Sequence, residues 1–331
     1  MLFSSQRVLF LFLLTMGIVV AVSAPSWFTA WIGLELNLMS FIPLIIEKQN
    51  QYPSEAALKY FLVQALGSAL VILGASLSLT TALFSFMMLM ALLLKLGAAP
   101  FHFWFPAIME GLNWPQVIVL MTIQKVAPML LISHMMTSQS LLIITCSAML
   151  SAVVGSLGGL NQTSLRKILA FSSINHIGWM LAAMSLGEPS WMMYFGFYVV
   201  ISTSVAMLFN NQQCFHFNQL MMQKPPWNYT PMISSFSLLS LGGLPPFSGF
   251  IPKWILIESL SNSKLYLLLF VLIISTLITL YYYIRLSILS LLLVSTKKKL
   301  WWPDAYQATH TPLMLFVNLF ILLTPSIFVL F

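Results

Sequence analysis

Charged residues are scarce in this sequence. Of its 331 residues only 6% are Asp, Glu, Lys or Arg, whereas 60% are hydrophobic. Soluble globular chains carry about 25% charged residues, so this chain has too few of them to cover a water-exposed surface. Its apolar stretches are long and continuous, which favours helices over the alternating strands of a membrane barrel. The composition therefore predicts an all-α polytopic membrane protein.

Cysteine is also scarce, and the usual patterns of catalytic or ligand residues are absent from the sequence. Cys146 and Cys214 lie far apart and form no C-x-x-C pair, which argues against iron–sulfur or zinc binding. The sequence contains no nucleophile–base arrangement, no metal-ligand spacing and no phosphate-binding glycine loop. We therefore expect no redox centre, no metal and no cofactor bound by this chain.

Polar or proline-rich breaks divide the chain into about eleven apolar segments of membrane-spanning length, since a span needs about 20 such residues. The predicted helices cover 4–22, 25–46, 55–76, 79–109, 115–135, 139–160, 167–186, 190–210, 232–259, 264–293 and 312–330. The longest polar connections, 211–231 and 294–311, leave no room for a soluble domain. We therefore predict a single membrane domain over 1–331.

Positive charge lies mainly on one side of these predicted helices. That side collects Arg7, Lys48, Arg166, Lys167, Lys224 and the lysine run 297–299, whereas the other side has mainly Lys264. The positive-inside rule then places the N-terminus in the positive compartment and the C-terminus opposite it. The net charge of +7 is explained by this orientation better than by nucleic-acid binding.

Two proline motifs repeat along the chain. Each has a Pro-Phe pair, at 100–101 and at 246–247, followed after four residues by another proline. They lie in the fourth and ninth predicted helices, an odd number of helices apart, so they enter the membrane from opposite faces. This pattern is typical of an inverted repeat whose broken helices mark a transport path. Two ordinary proline kinks are the alternative.

Four ionisable residues, Glu35, Lys95, Lys125 and Lys253, fall well inside the predicted spans. Each costs about 2.5–3.5 kcal/mol at a helix centre, so we expect them to face the protein interior and to serve a function. Burial disfavours the charged form of lysine and a nearby carboxylate restores it, so a Glu–Lys pair that forms and breaks could load and unload a proton. A structural ion pair is the alternative, but one glutamate cannot pair with three lysines. Lys95 precedes its Pro-Phe pair, whereas Lys253 follows its own, and the sequence offers no reason for this difference.

His176 lies mid-span in the stretch SSINHIGWM and is a candidate proton relay, with a hydrogen-bonded packing histidine as the alternative. His102, inside the first proline motif, is a weaker candidate.

Four stretches of the sequence together resemble a known family. They read WIGLELNLMSFIP (31–43), LLKLGAAPFHFWFPAIMEGL (93–112), GLNQTSLRKILAFSSINHIGW (159–179) and SLGGLPPFSGFIPKW (240–254). They closely resemble the subunit 2 family of mitochondrial NADH–ubiquinone oxidoreductase, respiratory complex I, in its animal and more specifically insect form. That family is antiporter-like and is related to subunits of multi-subunit sodium/proton antiporters.

The resemblance implies a fold of two inverted five-helix repeats, each with a broken helix, here over 1–135 and 136–293, with a loop and one C-terminal helix over 294–331. It also implies a proton path in which Glu35 pairs with Lys95, Lys125 links laterally and Lys253 gates the far half-channel. Longer bacterial relatives carry additional N-terminal helices, which this chain lacks as other animal forms do.

The resemblance further implies a core membrane-arm subunit of complex I that contributes to proton translocation. NADH, FMN, iron–sulfur clusters and ubiquinone would be bound by other subunits. The expected partners are complex I subunits, particularly 4 and 4L, with accessory subunits and membrane lipids. The expected location is the mitochondrial inner membrane, with the N-terminus in the matrix and the C-terminus in the intermembrane space. The alternatives are a stand-alone cation/proton antiporter and a non-catalytic membrane scaffold.

Overall fold

The computed structural model describes residues 5–46, 50–77, 83–221, 230–245 and 247–292. Within these ranges the regular structure is helical, apart from one isolated bridge between Ser164 and His216. The helices are α1 (Ser5–Val22), α2 (Trp27–Ile45), α3 (Gln51–Leu77), α4 (Leu83–Leu96), α5 (Trp104–Gly111), α6 (Trp114–Met121), α7 (Ile123–His134), α8 (Ser138–Gly159), α9 (Leu165–Met184), α10 (Glu188–Gln212), α11 (Phe217–Met221), α12 (Thr230–Gly242), α13 (Phe250–Asn262) and α14 (Tyr266–Leu292).

Seven helical segments of the described chain are long and apolar enough to cross a membrane. They are α1, α2, α3, α10, the α6–α7 pair, most of α8 and most of α14, and two shorter apolar helices cover 84–96 and 232–242. The predicted multi-span, all-helical membrane protein is therefore confirmed. The eleventh predicted helix, 312–330, and the lysine run at 297–299 lie outside the described residues.

The described residues form two compact units, one ending at Ser151 and the other beginning at Ala152. In the first unit, α1 and α2 pack closely because small residues face each other. A Cβ on Gly33 would lie 2.5 Å from the Ala21 backbone nitrogen, and one on Gly17 would lie 2.9 Å from that of Asn37. Small residues of this kind let membrane helices approach at backbone distance. This close packing fixes the position of α2, which carries Glu35.

A glutamine side chain joins the end of α2 to the start of α6. Gln116 accepts a hydrogen bond from the Asn113 backbone N–H (2.9 Å), and its amide nitrogen donates to the Leu44 carbonyl (2.8 Å). A helix start and a helix end leave unpaired backbone groups that are costly in an apolar environment. Gln116 satisfies one of each, and so fixes where α6, and α7 after it, enter the unit.

In the second unit, α9 is the central helix. Seventeen of its twenty residues are buried, and a Cβ on Gly155 of α8 would lie 2.5 Å from the Asn175 backbone nitrogen. This packing surrounds the middle of α9, where His176 lies, with other parts of the protein.

The connection predicted over 211–231 is more structured than the sequence suggested. It contains the short helix α11, and the chain before it pairs with the start of α9. The Leu165 N–H donates to the Phe215 carbonyl (2.9 Å), and the Phe217 N–H donates to the Thr163 carbonyl (3.0 Å). These bonds join residues about fifty positions apart, so local sequence patterns do not reveal them.

Candidate functional site

The fourth predicted helix is interrupted between α4 and α5. Gly97 follows α4 with φ +73°. The Gly97 N–H donates to the Leu94 carbonyl and the Ala98 N–H to the Leu93 carbonyl, both at 3.1 Å. This is a Schellman ending, which places its glycine in the left-handed region that other residues avoid. Lys95 lies in the last turn of α4.

The ninth predicted helix is interrupted in the same way between α12 and α13. Gly243 has φ +77°, and its N–H donates to the Ser240 carbonyl (3.0 Å), while the Leu244 N–H donates to the Leu239 carbonyl (3.4 Å). Both predicted breaks are therefore present, and each begins with a left-handed glycine.

Lys253, in the first turn of α13, reaches back across the second break. Its Nζ donates a hydrogen bond to the Gly242 carbonyl at 2.8 Å, and the side chain is buried. A cation is stabilised at the C-terminal end of a helix, where carbonyl groups remain unpaired. Lys95 is part of the C-terminal end of α4, the first half of its broken helix. Lys253 belongs to α13, the second half of its broken helix, and reaches back to the C-terminal end of α12. The different positions of the two lysines in sequence therefore lead to equivalent helix ends.

In the first unit, Lys95 and Lys125 line one cavity of about 20 Å³. A water molecule needs about 10–15 Å³ of such volume and two to four polar partners. Both lysines are buried, with exposed fractions of 6% and 2%. The polar residues lining the cavity are Asn37, Tyr60, Gln64, Lys95, Gln124 and Lys125. The cavity therefore has both the size and the polarity that a buried water requires.

Hydrogen bonds order the side chains around this cavity. The Tyr60 hydroxyl donates to Gln124 Oε1 (3.2 Å), and Gln64 Nε2 donates to the Lys95 carbonyl (3.4 Å). The Lys125 ammonium lies 5.3 Å from the centre of the Phe105 ring, a distance at which the ring face attracts a cation. Lys125 therefore lies beside an aromatic ring and lines the same cavity as Gln64 and Gln124.

Glu35 is partly buried on α2 and lies within electrostatic range of Lys95 and of Tyr60. The Glu35 carboxylate and the Lys95 ammonium form no contact of 4.0 Å or less. An ion pair within that distance does join Glu55 and Lys59, at 3.9 Å on an exposed helix face. Glu35 and Lys95 thus interact at longer range than a direct ion pair.

His176 lies buried in an aromatic cluster of the second unit. Its Nδ1 lies 2.9 Å from the Tyr194 hydroxyl, and its ring centre lies 5.2 Å from that of Tyr198. Tyr194 in turn stacks on Trp179, with the two rings within 2° of parallel. His176 is thus hydrogen-bonded, an arrangement that fits both a relay and a packing histidine.

Four residues that line the cavity were not predicted from the sequence, namely Asn37, Tyr60, Gln64 and Gln124. The sequence did contain a pattern that points to two of them, because Tyr60 and Gln64 are one helical turn apart and so share a helix face. Gln124 directly precedes Lys125, but adjacent residues in a helix point in different directions, so its position beside the same cavity was not predictable from spacing.

The sequence matches the protein family described as "NADH:quinone oxidoreductase/Mrp antiporter, TM" over residues 24–82 and 75–279. It is 46% identical over 303 residues to NADH-ubiquinone oxidoreductase chain 2 of Anopheles gambiae, covering 88% of each chain. It is 44% identical over 325 residues to the protein of the same name from Aedes aegypti, covering 95% of this chain and 94% of the mosquito protein.

Among solved structures, respiratory complex I from Thermus thermophilus with bound aureothin contains a chain of the same fold. The TM-score is 0.85 at 23% identity, and the match covers 98% of this chain and 79% of the Thermus chain.

Proposed function

The chain belongs to the chain 2 family of NADH–ubiquinone oxidoreductases, and from that membership we propose that it is a core membrane-arm subunit of mitochondrial complex I. In this role it contributes to proton translocation across the inner membrane, coupled to electron transfer from NADH to ubiquinone. The chain acts within an enzyme of many subunits rather than as an enzyme alone.

The observation that carries this proposal is the placement of the buried lysines. Lys95 and Lys125 share a polar cavity large enough for water, and Lys253 binds a free carbonyl at a helix break. A buried charge in a membrane protein is costly and is retained mainly along ion pathways or proton relays. A lysine beside a water site can release and take up a proton without leaving the protein interior, which is what a proton pathway requires.

We assign roles to five residues in this pathway. Glu35 modulates the charge of Lys95 at a distance, Lys95 and Lys125 exchange protons within the first unit, and Lys253 serves the second unit. His176, held by Tyr194, is a relay residue of the second unit. Burial disfavours the charged form of a lysine, so a lysine inside the protein releases its proton more readily than one in water.

The finer architecture in this proposal is an inverted repeat of two five-helix units plus one C-terminal helix. The motif residues of the two breaks are separated by a constant 146 positions, which supports the repeat. The matching pairs are Gly97 with Gly243, Pro100 with Pro246, Phe101 with Phe247, and Pro106 with Pro252. The Schellman ending at each break adds a structural correspondence to the one in sequence.

In the assembled enzyme, the family resemblance implies that NADH, FMN, iron–sulfur clusters and ubiquinone are bound by other subunits, and we propose the same arrangement here. Its proposed neighbours are complex I subunits 4 and 4L, accessory subunits and lipids. Its proposed orientation has the N-terminus in the matrix and the C-terminus in the intermembrane space, as the positive-inside rule indicates.

A stand-alone cation/proton antiporter is the second candidate, because the matching family also includes Mrp antiporter subunits. Purification separates the two functions. Our proposal requires the chain to purify with a large assembly that oxidises NADH and reduces ubiquinone. Cation-driven proton movement by the isolated chain in liposomes would instead support the antiporter. Full pumping by a complex in which all four buried charges are neutralised would indicate that the chain is a non-catalytic scaffold.

A further inference from the structure

Two polar atoms of residues at the cavity of the first unit have no hydrogen-bond partner among the residues that the structure describes. They are Gln124 Nε2, a donor, and Asn37 Oδ1, an acceptor, and both are fully buried as atoms. An unpaired buried polar atom costs about 1–3 kcal/mol unless water satisfies it. Both residues line the cavity that Lys95 and Lys125 also line. The two unpaired atoms are therefore complementary, one a donor and the other an acceptor, and the residues that carry them line the same small space.

We propose that Gln124 and Asn37 hold a water molecule that transfers protons between Lys95 and Lys125, and that Tyr60 is a positioning residue for Gln124. This inference rests on the proposed function and names the part of the first unit that links its two lysines. A water has two donors and two acceptors. It accepts from Gln124 Nε2 and donates to Asn37 Oδ1, which leaves one lone pair and one O–H group for the two lysines.

The proton transfer through this water is balanced. When Lys95 is charged and Lys125 neutral, an N–H bond of the Lys95 ammonium breaks and a new O–H bond forms on the water. The O–H group that faces Lys125 then breaks, and its proton bonds to the Lys125 amine. The water is regenerated, and one positive charge has moved from one lysine to the other. Reversal of the same steps returns it.

Tyr60 orients the amide that the water needs. Its hydroxyl donates to Gln124 Oε1, so the Oε1 atom is occupied and the Nε2 atom is left for the cavity. Without that bond, the amide could turn and present an acceptor to the water instead of a donor. Tyr60 itself is buried and packs against Phe41, with ring centres 5.1 Å apart. The aromatic contact fixes the ring, and the ring fixes the hydroxyl.

The test uses the assembled complex in proteoliposomes, carrying either Gln124→Leu or Tyr60→Phe. Tyr60→Phe keeps the ring and its packing, so it tests the proposal if Gln124→Leu prevents assembly. The matched controls are Gln162→Leu and Tyr281→Phe, since neither residue lines the cavity and the Tyr281 side chain is exposed. Lys125→Met provides the reference for a blocked pathway. Each complex is measured for proton-pumping rate, KM for quinone and, by high-resolution cryo-electron microscopy, density in the cavity.

We expect density for a water within hydrogen-bonding distance of Gln124 and Asn37 in the unaltered complex and none in Gln124→Leu. Pumping should fall about 5- to 10-fold in that variant and less in Tyr60→Phe, with KM unchanged and both controls normal. Absence of that density from the unaltered complex, or unchanged pumping in both variants, overturns the inference. If Lys125→Met pumps normally as well, the proposed function fails. If only Lys125→Met is impaired, the proton pathway stands and the water site is wrong.

Discussion

At the scale of single residues, the second break depends on the contact between a lysine and a glycine. Gly243 adopts φ +77°, and a Cβ at that position would lie 2.9 Å from Cδ and 3.0 Å from Nζ of Lys253. The missing side chain therefore serves two purposes. It permits the left-handed turn that ends α12, and it leaves space for the ammonium to reach the Gly242 carbonyl.

Gly243→Ala should destabilise this break and weaken pumping together. The left-handed conformation costs a non-glycine residue about 1–2 kcal/mol, and the new methyl group would displace the Lys253 side chain. We expect a lower midpoint of thermal inactivation and a lower proton yield per NADH. The neighbouring Gly242→Ala is the control, because its Cβ would meet only ordinary contacts at 3.6 Å or more. Equal behaviour of the two variants would show that the glycine conformation is unimportant.

At the scale of helices, the positions of the two breaks were predictable from the sequence, but the side-chain contacts around them were not. Glycine and proline in the stretches 97–106 and 243–252 indicate where the helices break, since both residues disfavour a helix interior. The destination of Lys253 was not predictable, because its side chain contacts a backbone carbonyl eleven residues earlier across the break. Likewise, no sequence pattern shows that Gln124 and Asn37, from two different helices, line the same cavity.

The same limit applies to α11. Its sequence resembles a polar connection, and the chain around its start pairs with Thr163 and Leu165, which lie about fifty positions earlier. Composition and hydropathy reveal spans because a span is a local property. Contacts between distant segments require the packed structure.

Close packing of α1 on α2 gives a prediction at the scale of helices. Gly33→Ala places a methyl group 2.5 Å from the Ala21 backbone nitrogen, so the two helices must separate. Overpacking of this kind costs about 1–3 kcal/mol. We expect a reduced yield of assembled complex and a lower thermal midpoint. The control is Gly196→Ala in α10, whose Cβ would meet nothing within 4 Å and which should assemble normally. Normal assembly of both variants would refute the close packing.

At the scale of the whole molecule, the positive charges at one set of loops predict the orientation of the chain. A tag at the N-terminus should be protected from protease in intact mitochondria and in mitoplasts, and should be cleaved only after the inner membrane is opened. A tag at the C-terminus should be cleaved in mitoplasts, because rupture of the outer membrane exposes the intermembrane side. The positive-inside rule gives this expectation. The opposite cleavage pattern would reverse the orientation and, with it, the side of the membrane from which protons reach each lysine.

The proposed function of the whole molecule depends on the buried lysines as carriers of protons. The most direct test measures the proton yield per NADH oxidised in proteoliposomes that contain complexes with Lys125→Met or Lys253→Met. Methionine keeps the length and the apolar stem of each side chain and removes only the ammonium. In both variants we predict either a lower proton yield per NADH, or a lower pumping rate together with a lower rate of NADH oxidation. Unchanged pumping and an unchanged proton yield in both would contradict the account.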